Sequence, residues 1–313
     1  MSFSSELKED LSKVNTRSSE CCKLAELAGC MITNCNVVRL GNKFVIKMVT
    51  ESASSIRRMY NAFKTLYGIT PVTNIEKEKL GQETTVLYEL IIDNDDDLKR
   101  VFSNDTFFNI DVNLRIVMDD KGTIKEKECC KRAFLRGVFL GSGSIMDPSL
   151  GNHLEIVLNS LENANYIISI LAEFDIMAKM MKRKKNLVIY IKDSETIADF
   201  LRIVGSNKAT LSFEQAKVEK EYRNNMNRRI NCEIANMDKT AMAASEQLKD
   251  IMKLKEKGKF GKLPQSLKQI ANLRIKYPEA SLDKIGSMLT PPLSRSGVSH
   301  RFKKIKELAK EVE

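Results

Sequence analysis

The sequence predicts an α+β fold in which an αββαββα unit is built twice, followed by an all-α domain. The tetrapeptide Glu-Cys-Cys-Lys occurs at residues 20–23 and again at 128–131, and both copies run into a helical stretch of small residues. A long internal repeat indicates one supersecondary unit made twice, with the two copies packed together. The positive charge, in contrast, is concentrated in the last third of the chain.

The two copies read ECCKLAELAGCMITNC and ECCKRAFLRGVFLGSG. Aligned on the tetrapeptide, three positions are identical: Ala25 with Ala133, Leu27 with Leu135, and Gly29 with Gly137. Small residues at matching positions allow two helices to approach closely, because little side-chain volume separates their backbones. The alignment therefore supplies the register in which the two repeated units correspond.

Apolar periodicity and turn residues place the elements of both units. For the first unit they predict a helix from Ser18 to about Thr33, strands at 36–40 and 43–49 around a Gly41-Asn42 turn, a helix at 53–67, a strand at 84–92 and a helix at 96–102. For the second unit they predict a helix at 127–140, a turn at 141–144, a strand at 153–158, a helix at 161–174, strands at 178–182 and 186–192, and a helix at 194–204.

The rest of the chain is predicted to be helical. A polar helix covers 213–222, and a second begins with Asp238 as its N-cap and continues to Lys257. Three short helices follow at 264–277, 281–289 and 296–310, after a Gly/Lys-rich break at 257–262. We expect domains at 1–120, 121–210, 211–262 (a connecting segment) and 263–313.

The net charge of +10 is unevenly distributed. Residues 211–313 hold 22 Lys and Arg against 13 Asp and Glu, whereas residues 1–210 have a net charge of only +1. A basic segment joined to a nearly neutral one indicates that the basic segment meets a polyanion. A solvated basic face is the alternative.

The seven cysteines include two adjacent pairs and no C-x-x-C spacing. This argues against a disulfide framework and a structural zinc site, so reduced cysteines in a cytoplasmic protein are expected, with redox sensing by the pairs as an alternative. No apolar run reaches about 18 residues, and the first residues lack the apolar segment of a signal peptide. We expect no membrane association, metal or cofactor.

Residues 27–35 and 135–143 resemble the motif that names the LAGLIDADG homing endonucleases. The resemblance implies a pseudo-twofold pair of αββαββα halves joined through these helices. In that family an acid at the end of each helix holds the catalytic metal, and the matching residues here are Asn34 and Ser142. Neither carries a negative charge, which predicts that no two-metal cleavage site forms.

The complete order of segments is similar to that of the bacterial WhiA family. The matching segments are residues 129–144, 153–156, 227–232 and 291–301, and they are spread over most of the chain. This resemblance implies a DNA-binding transcription regulator with a degenerate nuclease half and a C-terminal helix-turn-helix, linked to cell division, chromosome segregation and sporulation. It would act in the cytoplasm, on the nucleoid.

In a helix-turn-helix the second helix enters the major groove of double-stranded DNA. Helical spacing in 296–310 turns four residues inward: Val298, Phe302, Ile305 and Ala309. The residues expected to read base edges are Arg295, Ser296, Ser299, His300 and Lys303. Those expected to contact phosphates are Arg301, Lys304, Lys306, Arg228 and Arg229.

Other functions stay open at this point. A displaced acid, of which Asp147 is the nearest, would make the chain a metal-dependent endonuclease. Binding of a protein or of RNA by the basic helices is a further alternative, although a chain with no Trp offers few stacking platforms for single strands. With its net charge of +1, the N-terminal half is expected to bind DNA weakly or to act as a scaffold for a protein partner.

Overall fold

A computed structural model of the chain describes residues 2–15, 19–41, 43–80, 83–102, 107–119 and 123–311. The chain divides into two units, Met1–Glu219 and Lys220–Glu313. The predicted helix start at Ser18 and the turn residue Asn42 lie outside the described residues, as does the proposed domain boundary between residues 120 and 121.

The first unit contains the duplicated elements. Its first half comprises α1 (Phe3–Lys13), α2 (Glu20–Asn34), β1 (Cys35–Leu40), β2 (Lys43–Thr50), α3 (Ala53–Tyr67), β3 (Val72–Leu80), β4 (Glu83–Ile92) and α4 (Asp95–Val101). A small hairpin follows, formed by β5 (Phe108–Ile110) and β6 (Ile116–Met118). The second half comprises α5 (Thr123–Glu126), α6 (Glu128–Ser142), β7 (Gly143–Ile145), β8 (Leu154–Leu158), α7 (Leu161–Ala172), β9 (Lys179–Arg183), β10 (Asn186–Ile191) and α8 (Ser194–Val204).

The remaining elements are helical. They are α9 (Asn207–Glu256), a 3₁₀ turn (Phe260–Lys262), α10 (Gln265–Lys276), α11 (Leu282–Ser287) and α12 (Arg295–Lys310). No helix in the described part of the chain combines the length and the apolar character that crossing a membrane requires.

Two four-stranded antiparallel sheets have the same topology, which confirms the duplication. Their strand orders are β1-β2-β4-β3 and β7-β8-β10-β9. The repeated helices α2 and α6 have 15 residues each and begin at the Glu of each tetrapeptide. The sequence alignment and the structural alignment of the two halves therefore share one register, and the predicted α+β fold class is confirmed.

Local sequence signals account for the best-predicted helices. Ser52 caps α3 by accepting a hydrogen bond from the Ser55 amide at 3.2 Å, and Asp193 caps α8 in the same way. Gly68 (φ 67°) and Gly205 (φ 92°) end these helices in the left-handed conformation, which glycine adopts without steric cost. Both helices match their predicted bounds because amphipathic periodicity and caps agree.

Close backbone contact joins α2 to α6. A Cβ on Gly29 would overlap the carbonyl oxygen of Phe134, and one on Gly137 would overlap the carbonyl oxygen of Glu26. Leu27, Ala28, Leu135 and Val138 are fully buried at the same place. The small residues seen in the repeat therefore permit a contact between helix backbones that larger side chains would prevent.

A buried ion-pair network crosses the same contact. Glu26 of α2 is 4% exposed, and its carboxylate accepts hydrogen bonds from Arg136 Nε of α6 at 3.0 Å and from the Arg58 guanidinium of α3. Arg58 also donates to the carbonyls of Ser12 and Val14, at 2.7 and 2.9 Å. One acid thus connects three helices, and removing it would leave two cations without their shared counter-charge.

Several sequence-based expectations were wrong. Residues 141–144 do not form a turn: α6 continues to Ser142 and β7 begins at Gly143. Gly141 is explained by helix packing and not by a turn, because a Cβ at this position would overlap Thr33 Oγ1 of α2. Asp238 is not an N-cap, because α9 passes through it without interruption. The helix continues through the Asn- and Arg-rich segment before Asp238 because this segment contains no Gly or Pro. Each Asn costs a helix only about 0.7 kcal/mol relative to Ala.

Gly137→Ala should destabilise the first unit by at least about 2 kcal/mol, because the new Cβ meets helix backbone that cannot move aside. Urea unfolding of the full chain, followed by circular dichroism, measures the loss. Gly261→Ala is the control, since its Cβ would meet nothing within 4 Å. Equal stability of Gly137→Ala and the unsubstituted chain would contradict the described packing.

Candidate nucleic-acid interface

The helices of the second unit enclose their own hydrophobic core. It is formed by Ile251 and Leu254 of α9 together with apolar residues of α10, α11 and α12. The predicted inward stripe of α12 is confirmed by the burial of Val298, Phe302, Ile305 and Ala309. The opposite face of α12 is exposed, and the packing of the buried stripe fixes the orientation of this face.

The beginning of α12 is held by backbone contacts with α11. Ser294 caps the helix, accepting a hydrogen bond from the Gly297 amide at 3.4 Å. Just before it, the Leu293 amide donates to the Gly286 carbonyl at 3.1 Å, and a Cβ on Gly286 would overlap the Leu293 carbonyl oxygen. Gly286 therefore allows α11 and the start of α12 to come together.

The five residues predicted to read bases are all exposed on α12: Arg295, Ser296, Ser299, His300 and Lys303. All five lie in its first nine residues; four of them are on the side away from the buried stripe, and Arg295 is the first residue of the helix. Ser296 Oγ lies 2.9 Å from the capping Ser294 Oγ, which orients one of the two hydroxyls at the helix start. This set combines hydroxyl, imidazole, ammonium and guanidinium groups that can hydrogen-bond to base edges.

The residues predicted to contact phosphates differ in their surroundings. Lys304 is exposed, and Arg228 and Arg229 are exposed on α9. Arg301 is half-buried and donates to the Ser266 carbonyl of α10 at 3.3 Å. Lys306 forms an ion pair with Glu246 of α9 at 3.0 Å, and this hydrogen bond raises the pKa of Lys306.

The sequence reasoning missed Arg274, which organises this unit. Its side chain is 1% exposed, and its Nη1 donates to the carbonyls of Pro278 and Ala280 at 3.1 and 2.6 Å. Its Nε donates to Gln247 of α9 at 3.0 Å, and its guanidinium lies 5.3 Å from the ring centre of Phe302 in α12. In the sequence Arg274 is one of the 22 Lys and Arg residues of 211–313, and the sequence does not reveal which of these cations is buried.

Asn34 and Ser142 end α2 and α6. Asn34 Nδ2 donates to the Gly141 carbonyl at 2.9 Å, so the amide links the ends of the two helices. Ser142 Oγ is buried and has no hydrogen-bond partner among the described residues. Neither the Asn34 amide nor the Ser142 hydroxyl provides a carboxylate, the charged ligand by which proteins usually hold hard divalent cations.

Asp147, the nearest acid along the sequence, caps a turn. Its Oδ1 accepts hydrogen bonds from the Ser149 amide at 2.8 Å and from the Ser149 hydroxyl. These bonds lower the pKa of Asp147. Its carboxylate therefore already has a structural role within the loop after β7.

Three family models match the chain in succession. They are the WhiA N-terminal LAGLIDADG-like domain over residues 20–102, the WhiA LAGLIDADG-like domain over 131–223 and the WhiA C-terminal HTH domain over 226–309. Together these matches cover most of the chain, and the last includes the complete α12 face described above.

Similar proteins cover the same length. A probable cell division protein WhiA from Thermoanaerobacter sp. (strain X514) is 37% identical over 100% of this chain and 98% of its own. One from Ruminiclostridium cellulolyticum is 36% identical, over 100% and 98%. The crystal structure of full-length DUF199/WhiA from Thermatoga maritima has a TM-score of 0.58 and 24% identity, and covers 99% of both chains. That likeness supports the fold.

Arg274→Met should destabilise the second unit by about 3 kcal/mol, because two buried carbonyls lose their donor. Thermal unfolding of the full chain by circular dichroism measures this. Lys276→Met is the matched control, an exposed cation on the same helix. Similar small effects of both substitutions would show that Arg274 is not structurally important.

Proposed function

The chain belongs to the WhiA family, and from this we propose that it is a sequence-specific regulator of transcription that binds double-stranded DNA and has no nuclease activity. The family's HTH domain and the names of the relatives support DNA binding and a role in cell division. Our proposal extends that role to chromosome segregation and sporulation, with the protein acting on the nucleoid in the cytoplasm. The exposed polar face at the start of α12 is the observation that carries the proposal.

In this proposal α12 lies in the major groove with its first turns against the base edges. Arg295 and Lys303 suit the O6 and N7 acceptors of guanine, while the hydroxyls of Ser296 and Ser299 and the imidazole of His300 can donate or accept. Because the buried stripe and the Gly286 contact hold the helix, few degrees of freedom are lost on binding.

Phosphate contacts would set affinity and register. Lys304 is exposed beside the base-reading face and fits this role without rearrangement. For Lys306 a phosphate must compete with Glu246, and for Arg301 with the Ser266 carbonyl. We keep Arg228 and Arg229 as phosphate contacts because both are exposed on α9.

The N-terminal unit is proposed to add little to DNA affinity. Its basic hairpin turn follows β9, but Arg183 there pairs with Glu155 of β8 at 3.3 Å, which reduces the local positive potential. The alternative role of this unit, as a scaffold for a protein partner, rests on the net charge of only +1 over residues 1–210.

Genome-wide mapping of DNA bound by the protein tests the proposed function directly. We expect a limited set of sites that share a sequence motif, enriched near promoters of division genes. Uniform binding along the chromosome, or none, would overturn the proposal. The mapped motif also supplies the specific duplex that the next measurement requires.

Lys303→Ala should reduce the preference for the mapped site over random duplex by about tenfold, since one base contact contributes roughly 1–3 kcal/mol of discrimination. Lys306→Ala should weaken binding to both duplexes equally and lower the salt slope by about 1. Titrations at several salt concentrations measure both effects.

The control for these substitutions is Lys182→Ala in β9, for which no change is expected. Equal losses of Lys303→Ala on both duplexes would remove Lys303 from the base-reading set. A loss for Lys182→Ala as large as that for Lys306→Ala would show that the N-terminal unit contacts DNA.

No cleavage of plasmid DNA is expected with Mg²⁺ or Mn²⁺, because Asn34 and Ser142 provide no carboxylate and Asp147 is engaged in its turn. An agarose-gel assay with purified protein checks this. Sustained nicking that Asp147→Asn abolishes would establish the endonuclease alternative. Asp111→Asn is the matched control, since Asp111 also caps a turn through hydrogen bonds from the Asn113 and Arg115 amides.

A further inference from the structure

The repeated tetrapeptides bring cysteines from both halves together. The Sγ atoms of Cys21, Cys22 and Cys130 all lie within 4.8 Å of one another. Cys22 and Cys130 are buried, Cys21 is half-buried, and the side chain of Cys129 interacts with that of Cys22. Two pairs that are 108 residues apart in the sequence thus form one group of thiols, here called the thiol cluster.

The cluster follows from the packing of the repeated helices. Each pair occupies the second and third residues of its helix, α2 or α6, and the helices are in close contact through their glycines. The pseudo-twofold relation then places Cys21 against Cys130 and Cys22 against Cys129. The cluster lies at the starts of these helices, whereas Asn34 and Ser142 lie at their ends.

We propose that the thiol cluster is a binding site for Zn²⁺, formed by Cys21, Cys22 and Cys130 with Cys129 as the fourth ligand. Zinc bonds thiolate sulfur at about 2.3 Å in tetrahedral geometry, which places the sulfurs about 3.8 Å apart. The sulfurs of Cys21, Cys22 and Cys130, which already lie within 4.8 Å of one another, reach this spacing through shifts of about 1 Å, and the exposed Cys129 would move toward them from its contact with Cys22. Each thiol that binds releases one proton to solvent, and no electrons are transferred.

The two helix starts favour the negative charge that such a site carries. Thiolates in the first turn of two helices receive the positive ends of both helix dipoles. The hydrogen bond between the Ser19 hydroxyl and the Cys21 thiol, with smaller contributions including the charge of Lys127, lowers the pKa of Cys21. Burial raises the pKa of Cys22 and of Cys130.

The cysteine spacing by which zinc sites are recognised in sequences does not reveal this site. Zinc ligands are recognised in sequences by two cysteines separated by two to four residues, which leaves both on one loop. Here each pair is adjacent, and the set is completed across a helix interface. The thiol cluster lies in the first unit, so metal binding there does not depend on DNA binding by α12.

Cobalt substitution tests the proposal on the full chain. The reduced protein, freed of metal with a chelator, is titrated with Co²⁺ and then with Zn²⁺. We expect thiolate-to-cobalt charge-transfer absorption that saturates at one Co²⁺ per chain and disappears as Zn²⁺ displaces it. Cys21→Ser should weaken binding at least tenfold, and Cys232→Ser, which changes an exposed cysteine of α9, should not.

A second measurement needs no substitution. Alkylation followed by mass spectrometry, with and without Zn²⁺, should show slower modification of Cys21, Cys22, Cys129 and Cys130 when Zn²⁺ is present, and an unchanged rate for Cys232. Absent charge-transfer absorption or unchanged alkylation rates would overturn the proposal. The proposal would also be overturned if the two cysteine pairs formed a disulfide in air and the protein bound no metal after this disulfide had been reduced.

Discussion

The contact between α2 and α6 is the constraint on which the first unit depends. Gly29 and Gly137 face the opposite helix so closely that neither position accepts a Cβ. Glu26 then joins Arg58 and Arg136 across the same contact, with all three side chains largely buried. Because both sheets follow these helices in the chain, the glycine contact and the shared carboxylate together position the two halves.

This one contact also determines what lies at each end of the helix pair. At the ends of the helices it brings the Asn34 amide to the Gly141 carbonyl. At the starts it gathers the cysteines. The second unit is organised differently: Arg274 and a hydrophobic core hold α12 and leave the outer face of that helix exposed.

Much of the fold could be predicted because periodicity and capping agreed. The α3 and α8 bounds and the buried stripe of α12 are examples. Strand β3 was not located, since its TNIEKEK segment is rich in charge and its described side chains are largely exposed. Helix α1 was missed as well, although Leu7 and Leu11 are buried in the core. The thiol cluster and the burial of Arg274 depend on contacts between distant segments, which no local pattern encodes.

Because the two halves are fused in one chain, a residue of one half can be substituted without changing the matching residue of the other half. In a symmetric pair of identical chains, any substitution at the end of the central helix occurs on both sides of the axis. Here Asn34 and Ser142 are different residues, and only one of them bonds across to the other helix. In a fused chain the two positions can therefore change by independent steps, with a different residue adopted on each side.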